Sequence, residues 1–232
     1  MITVILPTYN ERENIEDMVR KIARAGFKIL IVDDSSPDGT GELADKLVKK
    51  YKTVSVIHRD GKKGLGSAIV EGMAASHTDI VGVMDADMSH DPSILPGISE
   101  RFGAGADFVI GSRYVKGGGI GDWPFYRKLT SLVATLMVRP IAGVKDPVSG
   151  YFFVRKSVIK GVKLNPESCK ICLDILVRGN YNSVAEVPYV FCDRRRGSTK
   201  ILNLREVMRY VKYVAYLYFY KIMKLNNRVK DE

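Results

Sequence analysis

The chain has 232 residues, of which 46% are apolar and 27% charged, and this composition indicates one folded globular domain with a substantial core. The net charge of +10 is uneven, because residues 194–232 hold eleven basic and three acidic side chains, which predicts an anionic partner such as phosphate, nucleic acid or an acidic membrane surface. Three cysteines exclude a disulfide framework, and no apolar run reaches the roughly 18 uncharged residues that a bilayer span needs.

Apolar runs alternate with helical patterns along the first half of the chain. Strands are predicted at residues 2–6, 28–32, 53–57, 79–84 and 107–111. The helical patterns between them lie near residues 15–22, from residue 41 and at residues 67–75. Because parallel neighbours need a long connection, this alternation predicts βαβ crossovers and an α/β fold with a mostly parallel sheet flanked by helices. Later patterns predict helices at 126–138 and 171–177 and strands at 151–154 and 183–191.

Polar side chains follow the ends of these strands. Since the ends of parallel strands meet at one edge of a sheet, we expect a cluster of Tyr9, Glu11, Asp34, Asp85 and Asp87. The carboxylates of an Asp-x-Asp pair suit Mg²⁺ or Mn²⁺, which commonly bind through one or two carboxylates and the phosphates of a substrate. Asp85 and Asp87 alone could form a solvated acidic turn, but a cluster drawn from separate loops favours a ligand site.

The last predicted element is a helix from about residue 203 to residue 224. Apolar residues recur in it at helical spacing, five tyrosines enrich its middle, and its other faces are basic. Such a helix can lie in the headgroup layer of a membrane, or it can pack on its own domain with the tyrosine hydroxyls reaching water. The two arrangements are compatible, since each needs a different face of the helix.

Several stretches together carry a resemblance to a known family. They are Leu6-Pro7-Thr8-Tyr9-Asn10-Glu11, Val32-Asp33-Asp34-Ser35-Ser36-Pro37-Asp38-Gly39, Gly64-Leu65-Gly66, Asp85-Ala86-Asp87-Met88-Ser89-His90, Gly111-Ser112-Arg113-Tyr114 and Glu186-Val187-Pro188. On these stretches the chain resembles the family 2 glycosyltransferases of the Rossmann-like GT-A fold, and more closely the dolichol-phosphate mannose synthases. The resemblance implies a metal-dependent, inverting transfer of mannose from GDP-mannose to a polyprenyl (dolichyl) phosphate, with Mg²⁺ or Mn²⁺ as the cofactor.

The resemblance also implies roles for individual residues. It implies nucleotide-sugar binding by Pro7, Tyr9, Glu11, Val32, Asp34, Asp85, Ala86, Asp87, Arg113, Arg194 and Lys200. Asp85, Asp87 and Ser89 are the expected metal ligands, and Arg127 with Ser131 is the expected clamp for the acceptor phosphate. Asp87 and Arg113 are the expected catalytic residues. An acceptor phosphate is already ionised, so positioning suffices and no general base is assigned.

The resemblance covers residues 2 to about 212. We therefore expect a GT-A glycosyltransferase catalytic domain over residues 1–200 and a basic amphipathic tail helix, interfacial to a membrane, over residues 201–232. Many relatives continue into transmembrane helices, whereas this chain ends at Glu232, so we expect anchorage through the tail or through a small membrane-anchoring subunit. The few cysteines and a first segment that predicts a strand rather than a signal peptide favour a cytoplasmic protein, peripheral on the cytoplasmic face of a membrane.

Other interpretations stay open from the sequence. The same fold could use a UDP-sugar, for example UDP-glucose, because few motif residues distinguish guanine from uracil. A nucleic-acid-binding module using the basic tail belongs to a different class, and the chain lacks a recognisable DNA or RNA motif. A scaffold without catalysis is disfavoured by the intact Asp85 and Asp87. Asp174 is either a polar contact to the sugar or acceptor, or a buried carboxylate with its own partners.

Overall fold

The computed structural model describes residues 1–121, 123–168, 170–192 and 204–230. Its first half repeats a strand, a loop and a helix three times and ends on a fourth strand. In chain order these elements are β1 (Ile2–Thr8), α1 (Ile15–Arg24), β2 (Lys28–Asp33), α2 (Thr40–Lys50), β3 (Val54–His58), α3 (Leu65–Ala75) and β4 (Ile80–Val83). β1 pairs in parallel with β2 and with β4, and β2 pairs in parallel with β3, which confirms the predicted crossovers.

The second half completes the sheet less regularly. After a 3₁₀ turn at Pro92–Ile94, its elements are α4 (Leu95–Gly103), β5 (Phe108–Ser112), β6 (Gly119–Ile120), α5 (Phe125–Ala142), β7 (Phe152–Arg155), α6 (Lys156–Ile159), α7 (Ile171–Arg178), β8 (Val184–Pro188), β9 (Val190–Phe191) and α8 (Leu204–Lys230). The large sheet has the order β3-β2-β1-β4-β7-β5-β8. β7 runs antiparallel to β4 and β5, and the other described pairs of this sheet are parallel. The predicted mostly parallel α/β sheet is confirmed.

The single strand predicted at residues 183–191 is two strands in the structure. β8 pairs with β5 until Ser112 lies beside Pro188, and β9 pairs instead with β6. Tyr189 makes the change between the sheets, because its N–H donates to the Ser112 carbonyl and its own carbonyl accepts from Gly119. This crossing carries the chain over the edge of the sheet where the strand-end loops meet.

Both faces of the sheet are buried, and alternate residues of one strand pack into different layers. On β1, Val4 and Leu6 face the layer of α1, α2 and α4, whereas Ile5 faces the layer of α3, α5, α7 and α8. α8 contributes Val214 and Leu217 to that second layer, and these side chains are 4% and 0% exposed. Within the described ranges, no helix combines the length and the apolar character needed to cross a bilayer.

Candidate active site

The loops that follow β1 and β2 are joined by hydrogen bonds. The Asp33 carboxylate accepts from Thr8 Oγ1 at 3.0 Å and from the backbone N–H and Oγ of Ser36 at 3.1 and 2.6 Å. Ser36 Oγ in turn accepts from the backbone N–H of Asn10 at 3.1 Å. The two loops therefore hold each other in place at the carboxyl edge of the sheet. Three predicted nucleotide-binding residues lie here, Pro7 near the end of β1 and Tyr9 and Glu11 in the first loop.

Asp34 directly follows β2 and holds the loop that follows β3. Its carboxylate accepts from Arg59 Nη1 at 2.6 Å and from the backbone N–H groups of Lys63 and Gly64 at 2.9 and 2.7 Å. The side chains of Asp34 and Arg59 are 6% and 2% exposed, so their ion pair is shielded from water. Arg59 Nη2 also donates to Ser67 Oγ at 2.6 Å. The glycine-rich basic loop, residues 60–64, is thus fixed against the other two loops.

Lys62 and Tyr9 meet across these loops. Lys62 Nζ lies 3.5 Å from the centroid of the Tyr9 ring, which is the geometry of a cation–π contact. Tyr9 is 36% exposed, so solvent or a ligand can reach it. An aromatic face can stack on a planar base, and an ammonium group can contact a diphosphate.

The loop after β4 holds Asp85 and Asp87 in a tight turn. Met88 has a φ of 67°, a left-handed conformation that is uncommon outside glycine. Asp87 Oδ1 accepts from the backbone N–H and Oγ of Ser89 at 3.0 and 2.6 Å. Asp87 and Ser89 are 3% and 1% exposed, whereas the Asp85 side chain is 35% exposed. Ser89 therefore orients Asp87 from within the loop, and Asp85 faces outward.

His90 fixes the backbone of Asp85. Its Nδ1 accepts a 2.9 Å hydrogen bond from the Asp85 N–H, so the neutral ring carries its proton on Nε2, 3.7 Å from Asp85 Oδ2. The imidazole stacks on Tyr151 with ring centroids 4.9 Å apart. Burial lowers the pKa of His90, although Asp85 and Asp87 act in the opposite direction. The ring is therefore neutral at neutral pH and can keep accepting from Asp85.

The oxygen groups of Asp85, Asp87 and Ser89 fit Mg²⁺ or Mn²⁺ better than softer metals. Two carboxylates and a hydroxyl are hard donors, which these ions prefer. Across the described ranges, no three His, Cys, Asp or Glu side chains converge into a closed protein cage. A divalent ion at this loop would complete its coordination with substrate phosphate oxygens and water, as Mg²⁺ commonly does.

Arg113 follows β5 and forms a bidentate ion pair with Asp146. Its Nε and Nη2 donate to the two carboxylate oxygens, each at 2.8 Å, and its backbone N–H donates to Oδ2 at 3.0 Å. The two side chains are 8% and 0% exposed. Burial alone would lower the pKa of Arg113, but the hydrogen bonds and charge of Asp146 outweigh burial and raise the pKa. Arg113 is therefore a fixed cation at every physiological pH.

A cavity of about 630 Å³ lies between α5 and α8 and is bordered by Arg113; we call it the α5/α8 cavity. Arg127 and Ser131 of α5 also line it, and Ser131 Oγ lies 3.0 Å from the Tyr114 hydroxyl. The Arg127 guanidinium carbon lies 3.7 Å from the centroid of the Trp123 ring. Apolar parts of the wall come from Val133, Ala134, Met137, Val148, Val207 and Val211. The cavity thus combines anion-binding groups with an apolar surface.

The remaining predicted residues occupy different positions. The side chains of Val32 and Ala86 are 0% and 2% exposed, so any contact from them to a nucleotide would come through main-chain atoms. Arg194 and Lys200 lie outside the described residues. Asp174 on α7 is fully buried and accepts from the backbone N–H of Asn165 and from the Tyr213 hydroxyl, each at 2.7 Å. Asp174 is therefore a buried carboxylate with its own partners.

Sequence reasoning gave no role to three charged or polar residues of this region: Arg59, His90 and Asp146. His90 lies five residues after Asp85 in the Asp-x-Asp stretch, and this proximity could have indicated a role for His90 in that loop. Arg59 and Asp146 act on partners 25 and 33 residues away along the chain. No local sequence pattern predicts such pairs, because they depend on which strand ends become neighbours in the sheet.

Known proteins of similar sequence match most of this chain. Residues 3–162 match the profile described as Glycosyl transferase family 2. The chain is 43% identical over 236 aligned residues to a protein of Pyrococcus furiosus named dolichol-phosphate mannosyltransferase, covering 98% of this chain and 65% of that protein. It is 40% identical over 220 aligned residues to the polyprenol monophosphomannose synthase of Mycolicibacterium smegmatis, covering 88% of this chain and 83% of that protein.

Solved structures support the fold. Mannosyltransferase PcManGT from Pyrobaculum calidifontis, in complex with GDP-Man and Mn²⁺, superposes with a TM-score of 0.61 at 17% identity, covering 84% of this chain and 58% of that one. TarS of S. aureus (residues 1–349) in complex with UDP-GlcNAc gives a TM-score of 0.63 at 17% identity, covering 93% of this chain and 66% of that one. At this identity the likeness concerns architecture alone, and it confirms the predicted GT-A-like fold.

Proposed function

The chain belongs to glycosyl transferase family 2, and on that premise we propose that it moves mannose from GDP-mannose to the phosphate of a polyprenol, with inversion at the anomeric carbon. One observation carries the proposal: Arg113, Arg127 and Ser131 line a cavity whose other walls are largely apolar. Anion-binding groups with apolar walls suit a phosphate on a hydrocarbon chain. The names of the related proteins support the same substrates, although the chain spans only 65% of the Pyrococcus protein.

On the donor side, we assign the nucleotide to the joined loops after β1, β2 and β3. Tyr9, Glu11 and Asp34 lie there, and Pro7, Val32 and Ala86 add main-chain or apolar contacts. Asp85, Asp87 and Ser89 would hold the metal ion, which when bound supplies charge neutralisation for the diphosphate. Arg113 contacts the phosphate that gains charge as the sugar bond breaks, and a fixed cation stabilises that charge more in the transition state than in the substrate. Arg194 and Lys200 remain proposed phosphate contacts.

On the acceptor side, Arg127 and Ser131 bind the polyprenyl phosphate at the cavity. The phosphate oxygen is already anionic and attacks the anomeric carbon from the face opposite the leaving diphosphate, so the protein needs to supply orientation rather than a base. Tyr114 holds the Ser131 hydroxyl in place. The first isoprene units would lie along the apolar walls that α5 and α8 share.

We further propose that the enzyme works as a peripheral protein on the cytoplasmic face of a membrane. The exposed side of α8 carries Val211, Phe219 and Ile222, which are 45%, 63% and 55% exposed. The adjoining α5 exposes Phe125 and Leu129 at 79% and 48%. With the basic residues of both helices, these side chains suit the headgroup layer of an anionic bilayer. This surface, the α5/α8 apolar face, would bring the cavity to the lipid acceptor.

The proposal is tested with a panel of donors. The purified chain is incubated with Mn²⁺ or Mg²⁺, vesicles containing a polyprenyl phosphate, and GDP-mannose, UDP-glucose or UDP-N-acetylglucosamine in separate reactions. We expect a mannosyl lipid from GDP-mannose alone, identified by mass spectrometry and by release with mild acid. Transfer from a UDP-sugar without transfer from GDP-mannose would overturn the assignment of GDP-mannose as the donor, but not the assignment of the chain as a sugar transferase. Mannose transfer that needs no polyprenyl phosphate would overturn the assignment of that lipid as the acceptor.

A further inference from the structure

Two carboxylates lie in series behind Arg113. The first is Asp146, which receives the guanidinium on two oxygens. The second is Glu186, whose Oε1 and Oε2 accept from the backbone N–H groups of Asp146 and Lys145 at 3.0 and 2.8 Å. Glu186 lies on β8 beside Ile110 of β5, and Arg113 follows the end of β5. Both ends of the series are therefore attached to the same pair of strands.

The pairing constrains the direction of the guanidinium rather than only its charge. A guanidinium group is planar, and a bidentate pair along its Nε and Nη2 edge fixes the plane of the group. The remaining nitrogen, Nη1, then points in one direction from a side chain that borders the α5/α8 cavity. A buried ion pair by itself adds little net stability, so its place beside the cavity is more informative than its strength.

We propose that Asp146 and Glu186 are positioning residues. They aim Arg113 at the donor phosphate that gains charge during the reaction. This inference rests on the proposed mannosyl transfer and gives a role to the Glu186-Val187-Pro188 stretch. Asp146 sets the plane of the guanidinium, and Glu186 fixes the backbone that carries Asp146. Without Asp146 the guanidinium keeps its charge but loses its fixed direction.

The first test compares Asp146→Asn with wild type and with Asp107→Asn, in the full chain. Asp107 is a matched carboxylate at the opposite end of β5, where it accepts from the backbone of Asn182 and Ser183. We expect Asp146→Asn to lower kcat about 100-fold, as loss of one aligned transition-state donor does, with a smaller change in the KM for GDP-mannose. Asp107→Asn should keep a kcat close to wild type. An equal loss in both variants would overturn the inference.

The second test removes the Arg113 side chain and supplies a guanidinium group from solution. Methylguanidinium, at a concentration that does not denature the protein, should raise the activity of Arg113→Ala, because Asp146 can bind it in the vacated place. The double variant Arg113→Ala with Asp146→Asn should show no such rise. Equal rescue in both would show that Asp146 has no positioning role.

A spectroscopic comparison separates this inference from the proposed function. In ¹⁵N-edited NMR spectra, the Arg113 Nε–H signal should be slow to exchange in wild type and fast in Asp146→Asn, whichever substrate is used. If Asp146→Asn does not fold, Glu186→Gln takes its place in the kinetic and NMR comparisons, with a smaller expected loss. An unchanged Nε–H exchange rate overturns the positioning role, whereas a wild-type chain that transfers no mannose overturns the proposed function.

Discussion

The Tyr213 hydroxyl on α8 donates a 2.7 Å hydrogen bond to the Asp174 carboxylate, which is fully buried on α7. The same carboxylate accepts from the Asn165 N–H and lies 2.6 Å from Arg178 Nε. Tyr210 adds a bond from α8 to the Ala134 carbonyl on α5. One face of α8 is therefore packed on its own domain. The hydrogen bonds to α5 and α7 fix the wall that α8 contributes to the α5/α8 cavity.

Tyr213→Phe should lower the free energy of unfolding by about 1–3 kcal/mol, because the buried Asp174 loses one of its donors. Urea denaturation at neutral pH measures the difference. Tyr126→Phe, at an exposed position of α5, is the control, and we expect it to change the stability little. An unchanged stability for Tyr213→Phe would show that Asp174 gains nothing from this hydroxyl.

The difference between wild type and Tyr213→Phe should depend on pH. Burial first, and then the hydrogen bond to Asp174, raise the pKa of Tyr213 above its usual value of 10. The protonated hydroxyl is therefore favoured in the folded state, and its contribution is complete below pH 10. Above pH 10 the tyrosine of the unfolded chain ionises, so the difference in unfolding free energy should shrink. Denaturation of both proteins at pH 8 and at pH 11 checks the sign, and a difference that grows would contradict it.

His90→Phe should impair the Asp-x-Asp loop while preserving the ring stack on Tyr151. Phenylalanine has no acceptor for the Asp85 N–H, so that partly buried donor loses its bond to the ring and the free energy of unfolding falls by about 1 kcal/mol. Since Asp85 then loses its fixed orientation, we also expect weaker Mn²⁺ binding in the presence of GDP, measured by electron paramagnetic resonance. His77→Asn, at an exposed position, is the control. Normal Mn²⁺ affinity in His90→Phe would contradict the role given to this ring.

Asp87→Asn should remove turnover without unfolding the loop. The amide oxygen can still accept from Ser89, but the negative charge for the cation is gone, and we expect a loss of at least about 100-fold in kcat. Asp91→Asn is a close control, because Asp91 makes the same two contacts to Ser93, at 2.9 and 2.6 Å, on an exposed turn. Full turnover of Asp87→Asn at saturating Mn²⁺ would rule out the proposed metal role.

The order of strands and helices was predictable because it depends on local pattern. Apolar runs that stop at polar loops located the ends of β1, β2 and β4, and parallel crossovers then placed Asp34, Asp85 and Asp87 at one edge. α4 was missed, because Pro96 and Gly97 in its first turn interrupt the helical pattern. Proline is tolerated there, since the first turn of a helix has no partner for its N–H groups.

The contacts that fix the site were not predictable in the same way. β7 inserts antiparallel between β4 and β5, and nothing in the sequence of Phe152–Arg155 specifies that place. The partners of Arg113 and Asp34 depend on this arrangement and on buried charges that meet across distant loops. Periodicity reports which side of an element is apolar, whereas these pairs depend on which elements become neighbours.

The α5/α8 apolar face should bind anionic vesicles, and the double variant Phe219→Glu with Ile222→Glu should bind them at least about tenfold more weakly. Burying one large apolar side chain contributes about 1.5–3 kcal/mol, and the new carboxylates are repelled by acidic lipids. Deleting α8 is a poorer test than these substitutions, because Val214 and Leu217 belong to the core.

Lys46→Gln with Lys49→Gln changes the net charge by the same amount on exposed positions of α2 and serves as the control. Co-sedimentation with vesicles containing phosphatidylserine measures all three proteins. Transfer to a water-soluble, short-chain polyprenyl phosphate in the absence of vesicles should be the same in all three, because the substitutions lie on an exposed face. Unweakened vesicle binding by the α8 variant would show that another surface meets the membrane, whereas lost transfer without vesicles would place Phe219 and Ile222 in the acceptor site itself.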